Sequence, residues 1–243
     1  MITGFAGKTD KGLVKTKNED SWGAFPEQGL FLIADGIGGM PAGDVASRLV
    51  VEVLPPLLAQ RIDKPEVLSR IEIIEKIKQS LCDLSDRILQ ESQKHEEYAG
   101  MGTTIVMALI TETEMFIAHL GDSRAYLLKQ NYLQQVSNDH SLIRHLLMTK
   151  EITQEQAKNH PGKNHLVQYI GMSMPPNPDV ICLPRESGER LLLCSDGLSN
   201  MLSNEEIRKF LTQFSSAEHT CNALIKAANM AGGHDNVTVV LVE

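Results

Sequence analysis

The sequence predicts an α+β fold in which segregated antiparallel sheets are covered by helices. Short runs rich in Val, Ile and Leu and bounded by Gly, Asp or Asn predict strands at 29–34, 104–110, 115–120, 124–128, 132–136, 190–194 and 237–242. Helical patterns occur in groups between these strands, so strands and helices do not alternate strictly. A doubly wound parallel sheet is therefore not expected, whereas packed antiparallel sheets fit this order.

Four helices account for most of the remaining chain. The first begins near Asp44, and Pro55-Pro56 is expected to end or kink it. The second follows from apolar residues at every third or fourth position: Val67, Ile71, Ile74, Ile77, Leu81, Leu84 and Ile88. Late in the chain, Ser203–Glu206 predicts a capping box, and a last helix spans about 216–230 with Leu224, Ile225 and Ala228 inward.

Length and composition favour one globular domain over residues 1–243. The 42% hydrophobic content excludes intrinsic disorder, and no linker divides the chain. A formal charge of −8 argues against nucleic-acid binding. No apolar run reaches the ~18 residues of a membrane span, and no signal peptide is evident. The four scattered cysteines are interpreted as buried small hydrophobes in a reducing cytoplasm.

Acidic residues stand at the ends of predicted buried strands. They are Glu19 with Asp20, Asp35, Asp122, Asp196 and Asp235. A single Asp at a strand end usually bonds the backbone of its own turn, but five such positions in one chain are hard to explain in that way. If they converge, cations must neutralise them. Oxygen ligands without clustered His or Cys favour Mg²⁺ or Mn²⁺ over Zn²⁺, and the carbonyl of Gly36 could approach such an ion closely.

Other catalytic schemes find little support. Residues 35–43 contain four glycines and could cradle a phosphate, although a Gly-rich loop alone is weak evidence. The sequence contains no G-x-S-x-G, no H-E-x-x-H and no C-x5-R motif. The eight histidines are interpreted as mostly surface or structural residues.

Seven motifs in order resemble the metal-dependent Ser/Thr protein phosphatases of the PP2C (PPM) family, in their bacterial single-domain form. They are Lys15–Asp20, Asp35–Gly39, Gly102–Thr104, Gly121–Arg124, Asp139–Ser141, Ser195–Leu198 and Asp235–Thr238. The resemblance covers essentially the whole chain. It implies a four-layer α-β-β-α sandwich of two antiparallel sheets flanked by helices, with a flap at about 145–171.

The resemblance also implies a metal centre with two Mn²⁺ or Mg²⁺ ions and a third, weaker site. The implied ligands are Glu19, Asp20, Asp35, Gly36, Asp122, Asp196 and Asp235. Asp35 would bridge two ions, while Asp196 and Asp235 would complete the first site. Asp20 or Glu19, with the Gly36 carbonyl, would hold the second ion, largely through waters. Asp122 would help Asp196 to bind the third.

Lys15 occupies the position at which most relatives carry an Arg that grips the substrate phosphate. Lysine keeps the charge but loses the two-pronged fork, so weaker phosphate binding is expected, with Lys17 sharing this task. Asn236 would position Asp235, and Ser123 would support the metal ligands without binding an ion itself. Ile37 replaces a His that some members use as a proposed general acid, so another group must protonate the leaving oxygen.

The resemblance implies hydrolysis of phosphoserine and phosphothreonine in proteins by direct attack of a metal-bridging hydroxide, with Asp35, Asp196, Asp235 and Lys15 as catalytic residues. Two metals can supply much of the large acceleration that phosphate-monoester hydrolysis needs. A cognate Ser/Thr kinase, a monomeric state, a signalling role and no nucleic-acid or membrane partner are expected. The alternatives are a catalytically silent PP2C-like regulatory or binding module and, less favoured, a metal-dependent nuclease or nucleotide hydrolase.

Overall fold

The computed structural model describes residues 2, 4–158 and 160–243, and these residues form ten strands and seven α-helices. In chain order the elements are β1 (Phe5–Asp10), β2 (Asp20–Phe25), β3 (Leu30–Asp35), α1 (Gly43–Arg61), α2 (Arg70–Lys94), β4 (Ile105–Ile110), β5 (Glu114–Leu120), β6 (Arg124–Lys129), β7 (Tyr132–Gln135), α3 (Leu142–Met148), α4 (Gln154–Lys158), β8 (Asp179–Pro184), β9 (Arg190–Cys194), α5 (Asp196–Ser199), α6 (Asn204–Gln213), α7 (Ala217–Met230) and β10 (Val237–Val242).

The strands form two five-stranded sheets, named here the β1 sheet and the β2 sheet. The β1 sheet has the order β1-β10-β9-β6-β7, and the β2 sheet has the order β2-β3-β4-β5-β8. All strand pairs in the described part of the chain are antiparallel. The prediction of an α+β fold with segregated antiparallel sheets is confirmed.

The layers are held together by apolar residues that alternate along the strands. Successive strand residues face opposite sides of a sheet, so Leu32 of β3 packs beneath α1 and α2 whereas Ile33 packs between the two sheets. On the far side, Leu224 of α7 packs against the β1 sheet with Leu192. The order of layers is helices, sheet, sheet, helices, which is the expected four-layer sandwich.

Helix α1 continues through Pro55 and Pro56 to Arg61, so of the two expected effects of the prolines, ending or kinking the helix, the first does not occur. Proline removes a backbone donor from the helix. Burial of neighbouring residues offsets that loss, because Leu54 is fully buried and Leu58 is nearly so. Each buried leucine stabilises the fold by roughly 1.5–3 kcal/mol.

Helix α2 begins at Arg70, after the capping box of Ser69 and Glu72, and not at the predicted Val67. Val67 and Ile71 are exposed, with relative accessibilities of 72% and 68%, so their prediction as inward residues is wrong. The buried stripe is Ile73, Ile77, Leu81, Leu84 and Ile88. No helix in the described residues is long and apolar enough to cross a membrane.

The late helices follow the sequence pattern closely. Ser203 and Glu206 form the predicted capping box at α6, and the inward face of α7 contains Leu224, Ile225 and Ala228. Strands β1 and β8 were not predicted. Each lies at the edge of its sheet and has a single strand neighbour, and edge strands carry weaker apolar patterns because one side meets solvent.

The cysteines divide into two pairs by burial, and all four are free thiols. Cys194 and Cys221 are buried, as predicted, whereas Cys82 and Cys182 are only half-buried. The interpretation of all four as buried hydrophobes is therefore wrong for two of them. Cys82 lies on α2, and Cys182 lies on the edge strand β8, where cover is incomplete.

Candidate metal and phosphate site

Strand pairing brings the acidic strand ends together at one edge of the sandwich. In the β2 sheet, Asp20 at the start of β2 is paired with Asp35 at the end of β3. In the β1 sheet, the start of β10 lies beside the end of β9, since Val239 is paired with Cys194. Asp235 and Asp196 therefore lie at neighbouring strand ends.

Asp35 occupies the middle of this group. It is paired with Asp20 across β2 and β3, and its carboxyl group influences the pKa values of both Asp20 and Asp196. Asp122, in the turn between β5 and β6, and Asp235 are close enough to act on Asp35 electrostatically. These side chains come from both sheets and form one cluster, called here the carboxylate centre. Its members are Asp20, Asp35, Asp122, Asp196 and Asp235.

The carboxylate centre is electrostatically unfavourable without a cation. Desolvation, followed by repulsion from neighbouring carboxylates, raises the pKa of Asp196 to about 8. Desolvation is also the largest cause that raises the pKa of Asp20 and of Asp122 to about 6, and it raises the pKa of Asp35 well above its ordinary value. Protons are held here because the negative charges lack compensation.

Asp20 shows that this donor set suits a metal ion. One of its oxygens, Oδ2, accepts hydrogen bonds from Ser195 Oγ at 2.8 Å and from Thr238 Oγ1 at 2.6 Å. The other oxygen, Oδ1, is buried and has no hydrogen-bond donor among the residues that the structure describes. A buried oxygen without a donor, among clustered carboxylates, fits a hard divalent cation such as Mg²⁺ or Mn²⁺.

Gly36 lies where the chain approaches itself closely after β3. A Cβ atom at this position would lie 2.4 Å from the Gly43 carbonyl oxygen and 2.9 Å from the Glu19 carbonyl oxygen. Its backbone N–H donates to Glu19 O at 3.1 Å. A glycine is therefore required to pack the loop against α1 and against the segment before β2, in addition to any contact of its carbonyl with a metal.

The two predicted phosphate-binding lysines have different surroundings. Lys15 Nζ lies 2.7 Å from Asp235 Oδ1, inside the carboxylate centre. Burial opposes its charge, but the hydrogen bond to Asp235 and the nearby carboxylates raise the pKa of Lys15. Lys17 Nζ instead forms an ion pair with Asp44 Oδ1 at 2.5 Å, at the start of α1. Lys15 is thus the better placed of the two for a ligand at the centre.

Asn236 ties the loop before β2 to the start of β10. Its Nδ2 donates to Lys11 O and to Lys17 O, both at 2.9 Å, and its Oδ1 accepts from Glu19 N at 2.8 Å. Its backbone N–H donates to Asp235 Oδ1 at 2.8 Å. Asn236 therefore holds the loop that carries Lys15 as well as its neighbour Asp235.

Ser123 supports the end of β3 through Thr104. The hydroxyl groups of Ser123 and Thr104 lie 2.8 Å apart, and Thr104 Oγ1 accepts from Asp35 N at 3.1 Å. Sequence reasoning assigned no role to Thr104, Ser195 or Thr238, although each lies inside a quoted motif. Ser195 directly precedes Asp196, whereas Thr104 follows Gly102 by two residues and Thr238 follows Asp235 by three. Their place inside these motifs is the signal that could have found them.

Arg124 and Asp139 form a further pair beside Asp122 that the sequence did not single out. Arg124 Nε lies 2.9 Å from Asp139 Oδ1, and its Nη2 lies 2.6 Å from Oδ2, which is a bidentate contact. The negative charge of Asp139 raises the pKa of Asp122, while Arg124 opposes that effect. The pair therefore anchors the segment that follows β7 next to the carboxylate centre.

The segment predicted as a flap lies between β7 and β8 and contains α3 and α4. Its end is joined to the site through Thr103, which bridges Gly36 on one side and Ile170 on the other. Thr103 N donates to Ile170 O at 3.1 Å, and Ile170 N donates back to Thr103 O at 2.9 Å. Asn159 lies outside the described residues of this segment.

Comparison with known proteins agrees with this geometry. The family model described as Protein phosphatase 2C matches residues 13–231. The chain is 38% identical over 239 residues to the serine/threonine phosphatase stp of Listeria welshimeri, covering 97% of this chain and 94% of that protein. It is also similar to the crystal structure of the serine/threonine phosphatase Stp1 from Staphylococcus aureus, with a TM-score of 0.89, 32% identity and coverage of 100% and 94%.

A third relative bears on the metal. The catalytic domain of the serine/threonine protein phosphatase PstP, solved in complex with two manganese ions, has a TM-score of 0.82 and 32% identity to this chain, with coverage of 98% and 96%. The identity, the coverage and the shared architecture agree across these relatives. The chain belongs to the protein phosphatase 2C family, whose members are metal-dependent protein-serine/threonine phosphatases.

Proposed function

We propose that the carboxylate centre holds two divalent cations, Mn²⁺ or Mg²⁺, and that Asp35 is shared between them. Asp196 and Asp235 complete the first site, and Asp20 or Glu19 with the Gly36 carbonyl completes the second. The observation that carries this assignment is the position of Asp35, which is paired with Asp20 across the strands and interacts electrostatically with Asp20, Asp196, Asp122 and Asp235.

Asp122 and Asp196 form a third and weaker cation site. The negative charge of Asp122 acts directly on Asp196 and, after desolvation, is the largest cause that raises its pKa. A cation between them would relieve this repulsion. Arg124 already offsets part of the charge of Asp122, which agrees with a weaker site here.

When bound, the cations supply an acidified water molecule for attack and positive charge for the phosphoryl oxygens. Lys15 Nζ would bind a phosphoryl oxygen. Asp235, which Lys15 contacts in this structure, would then serve as a metal ligand and leave the ammonium group available. The hydrogen bonds from Ser195 and Thr238 fix the orientation of Asp20 and favour its ionised form, against the desolvation that raises its pKa. A water molecule would attack phosphorus in line with the seryl or threonyl oxygen, the P–O bond to that oxygen would break, and a proton released by the water would pass to the leaving oxygen. The products are inorganic phosphate and the free hydroxyl side chain, and no phospho-enzyme forms.

The substrates of this enzyme class are phosphoproteins, and a cognate Ser/Thr kinase, cytoplasmic location and a monomeric state complete the proposal. Residues 1–243 form one catalytic domain with its flap at about 145–171. The bridge from Thr103 to Ile170 places the end of the flap next to Gly36. Flap residues are therefore well placed to select among phosphoproteins in a signalling circuit.

The test is hydrolysis of p-nitrophenyl phosphate by the purified protein with Mn²⁺, with Mg²⁺ and with EDTA. We expect turnover with Mn²⁺ or Mg²⁺, none with EDTA, and a collapse of turnover in Asp196→Asn. Asp86→Asn, a change on the distant helix α2, is the matched control and should keep full activity. Full activity of Asp196→Asn, or activity undiminished by EDTA, would overturn the site assignment.

A phosphopeptide assay separates the substrate question from the metal question. Release of phosphate from a phosphothreonine peptide, with no cleavage of single-stranded DNA under the same conditions, is expected. Metal binding without turnover on either phosphate substrate would instead support the silent regulatory module.

A further inference from the structure

Two histidines and an aspartate form a cluster outside the carboxylate centre. His119 lies on β5, Asp179 opens β8 directly opposite it, and His140 lies in the segment after β7. One ring nitrogen from each histidine and one carboxylate oxygen of Asp179 lie within 4.8 Å of one another. The sequence interpretation of the histidines as mostly surface or structural residues did not anticipate this grouping.

His119 is fully buried, yet only one of its ring nitrogens has a partner in the described chain. Its Nε2 lies 2.7 Å from the carbonyl oxygen of Asn138, which can only accept, so Nε2 carries the proton. Nδ1 is then left with a lone pair and has no hydrogen-bond partner among the described residues. Burial lowers the pKa of His119, which keeps the ring neutral, and a neutral imidazole is the metal-binding form.

His140 repeats this arrangement on the other side of the cluster. Its ring stacks on that of His119 with centroids 4.6 Å apart, and its Nε2 lies 3.2 Å from Asp179 Oδ2. Its Nδ1 is buried and, among the described residues, also lacks a partner. A histidine pair that serves packing alone normally satisfies its buried nitrogens, so two such atoms side by side require an explanation.

We propose that His119, His140 and Asp179 form a separate metal site for a divalent transition-metal ion of the zinc class. Two imidazoles and one carboxylate are a donor set typical of Zn²⁺, with one position left for water. Such a set favours borderline metals over Mg²⁺, which prefers oxygen ligands.

The solvent-facing part of the cluster can rearrange around an ion, while its buried part stays fixed. The two rings are nearly parallel, at an interplanar angle of 27°, so His140 must turn for both to face the same ion. The side chain of His140 is 13% exposed and that of Asp179 is 46% exposed, whereas His119 is fully buried. His119 therefore provides the fixed ligand, and the ion enters from the solvent side where Asp179 lies.

The site would connect the β2 sheet to the flap. His140 N donates to Gly121 O at 2.8 Å, in the turn that carries Asp122, and His140 O accepts from Val167 N at 2.8 Å. An ion bound by the cluster therefore fixes β5, β8 and the root of the flap to one another. We expect the bound ion to raise thermal stability without supplying a group to the reaction.

The experiment is a Zn²⁺ titration, by isothermal calorimetry, of metal-free full-length protein carrying Asp35→Asn and Asp196→Asn, which disables the carboxylate centre. We expect one tight equivalent of Zn²⁺ in this background and its loss when His140→Asn is added. His219→Asn, at an exposed position on α7, is the matched control and should retain the equivalent. Co²⁺ provides a second readout, since its visible absorption should appear with the parent and vanish with His140→Asn.

Two results would overturn the proposal. One is the absence of any tight Zn²⁺ equivalent in the parent variant, and the other is the same stoichiometry with and without His140. Far-ultraviolet circular dichroism checks that each variant is folded. If His140→Asn unfolds, Asp179→Asn at the half-exposed position replaces it, and an unchanged Zn²⁺ stoichiometry in that variant counts against the site.

Discussion

The carboxylate centre and the histidine cluster are neighbours in sequence but differ in donor chemistry and in origin. His119 precedes Asp122 by three residues, and Asp139 directly precedes His140. The carboxylate centre collects oxygen donors from the ends of strands in both sheets, whereas the cluster combines two imidazoles with one carboxylate near the edge of the β2 sheet. One fold can thus offer a hard and a borderline metal site side by side.

The largest expected effect comes from Asp35→Asn, which removes the shared carboxylate. We expect the Mn²⁺-dependent rate to fall by at least about 10³-fold, since charge stabilisation at the phosphoryl group is lost. The measurement is kcat on p-nitrophenyl phosphate with Mn²⁺. The Zn²⁺ equivalent assigned to the histidine cluster should survive this change. Loss of both together would show that the two sites are not separate.

Metal binding to the carboxylate centre should stabilise the native state strongly. At Mn²⁺ about 100-fold above its dissociation constant, the free energy of unfolding should rise by about 2.7 kcal/mol for one site. For a chain of this size that corresponds to an increase in Tm of about 5–10 °C. Differential scanning fluorimetry with and without Mn²⁺ checks this. An unchanged Tm would contradict convergence of the carboxylates, and the Asp35→Asn variant should show a smaller increase.

The stability of the metal-free protein should depend on pH through the carboxylate centre. The folded pKa of Asp196 is about 8, and those of Asp20 and Asp122 are about 6, all above the ordinary value of 3.8. The folded state therefore retains protons that the unfolded chain releases. The stability from these groups is fully present below about pH 4 and is lost as the pH rises through about 6 to about 8.

Urea unfolding of metal-free protein across this window measures the effect. The free energy of unfolding should fall towards higher pH, and saturating Mn²⁺ should reduce the fall because cations replace the protons. The Asp35→Asn, Asp196→Asn protein is the control, and its slope should be smaller. A rise in stability from about pH 5 to about pH 8 in the metal-free protein would contradict the assigned shifts.

The smallest expected effect is that of Lys15→Arg. A guanidinium can bind a phosphoryl group with two parallel hydrogen bonds, whereas the ammonium acts as a point charge. We expect KM for a phosphopeptide to decrease by a factor of about 3–10, which corresponds to one added charge-assisted bond of about 1 kcal/mol. Steady-state kinetics checks this, with Lys17→Arg as the matched control. A higher KM in Lys15→Arg would show that lysine suits this site better.

The sequence predicted the carboxylate centre because its signal is local. Asp35 and Asp196 each directly follow an apolar strand, or follow it after one serine, and such positions can be recognised without knowing which strands pair. The order of strands and helices predicted antiparallel sheets covered by helices in the same way, whereas the four-layer sandwich was implied by the family resemblance. Where a prediction from the sequence was wrong or missing, tertiary packing is the reason. Burial of Leu54 and Leu58 carries α1 past its prolines, and edge position weakens the pattern of β1.

The histidine cluster could not be predicted because its members have no common local pattern. His119 and Asp179 are far apart in the sequence, and only the register of β5 with β8 places them opposite each other. The same holds for the hydrogen bonds of Ser195 and Thr238 to Asp20, which join residues from the two sheets. Contacts that depend on strand register require the folded structure.

The hydrogen bonds of Asn236 also determine when during synthesis this enzyme can become active. The bond from Glu19 N to Asn236 Oδ1 joins residues separated by 217 positions. A ribosome must therefore produce the chain as far as Asn236 before the loop that carries Lys15 can be fixed. A nascent chain that ends before Asp235 lacks both this carboxylate and the Asn236 anchor, so we expect it to have no phosphatase activity.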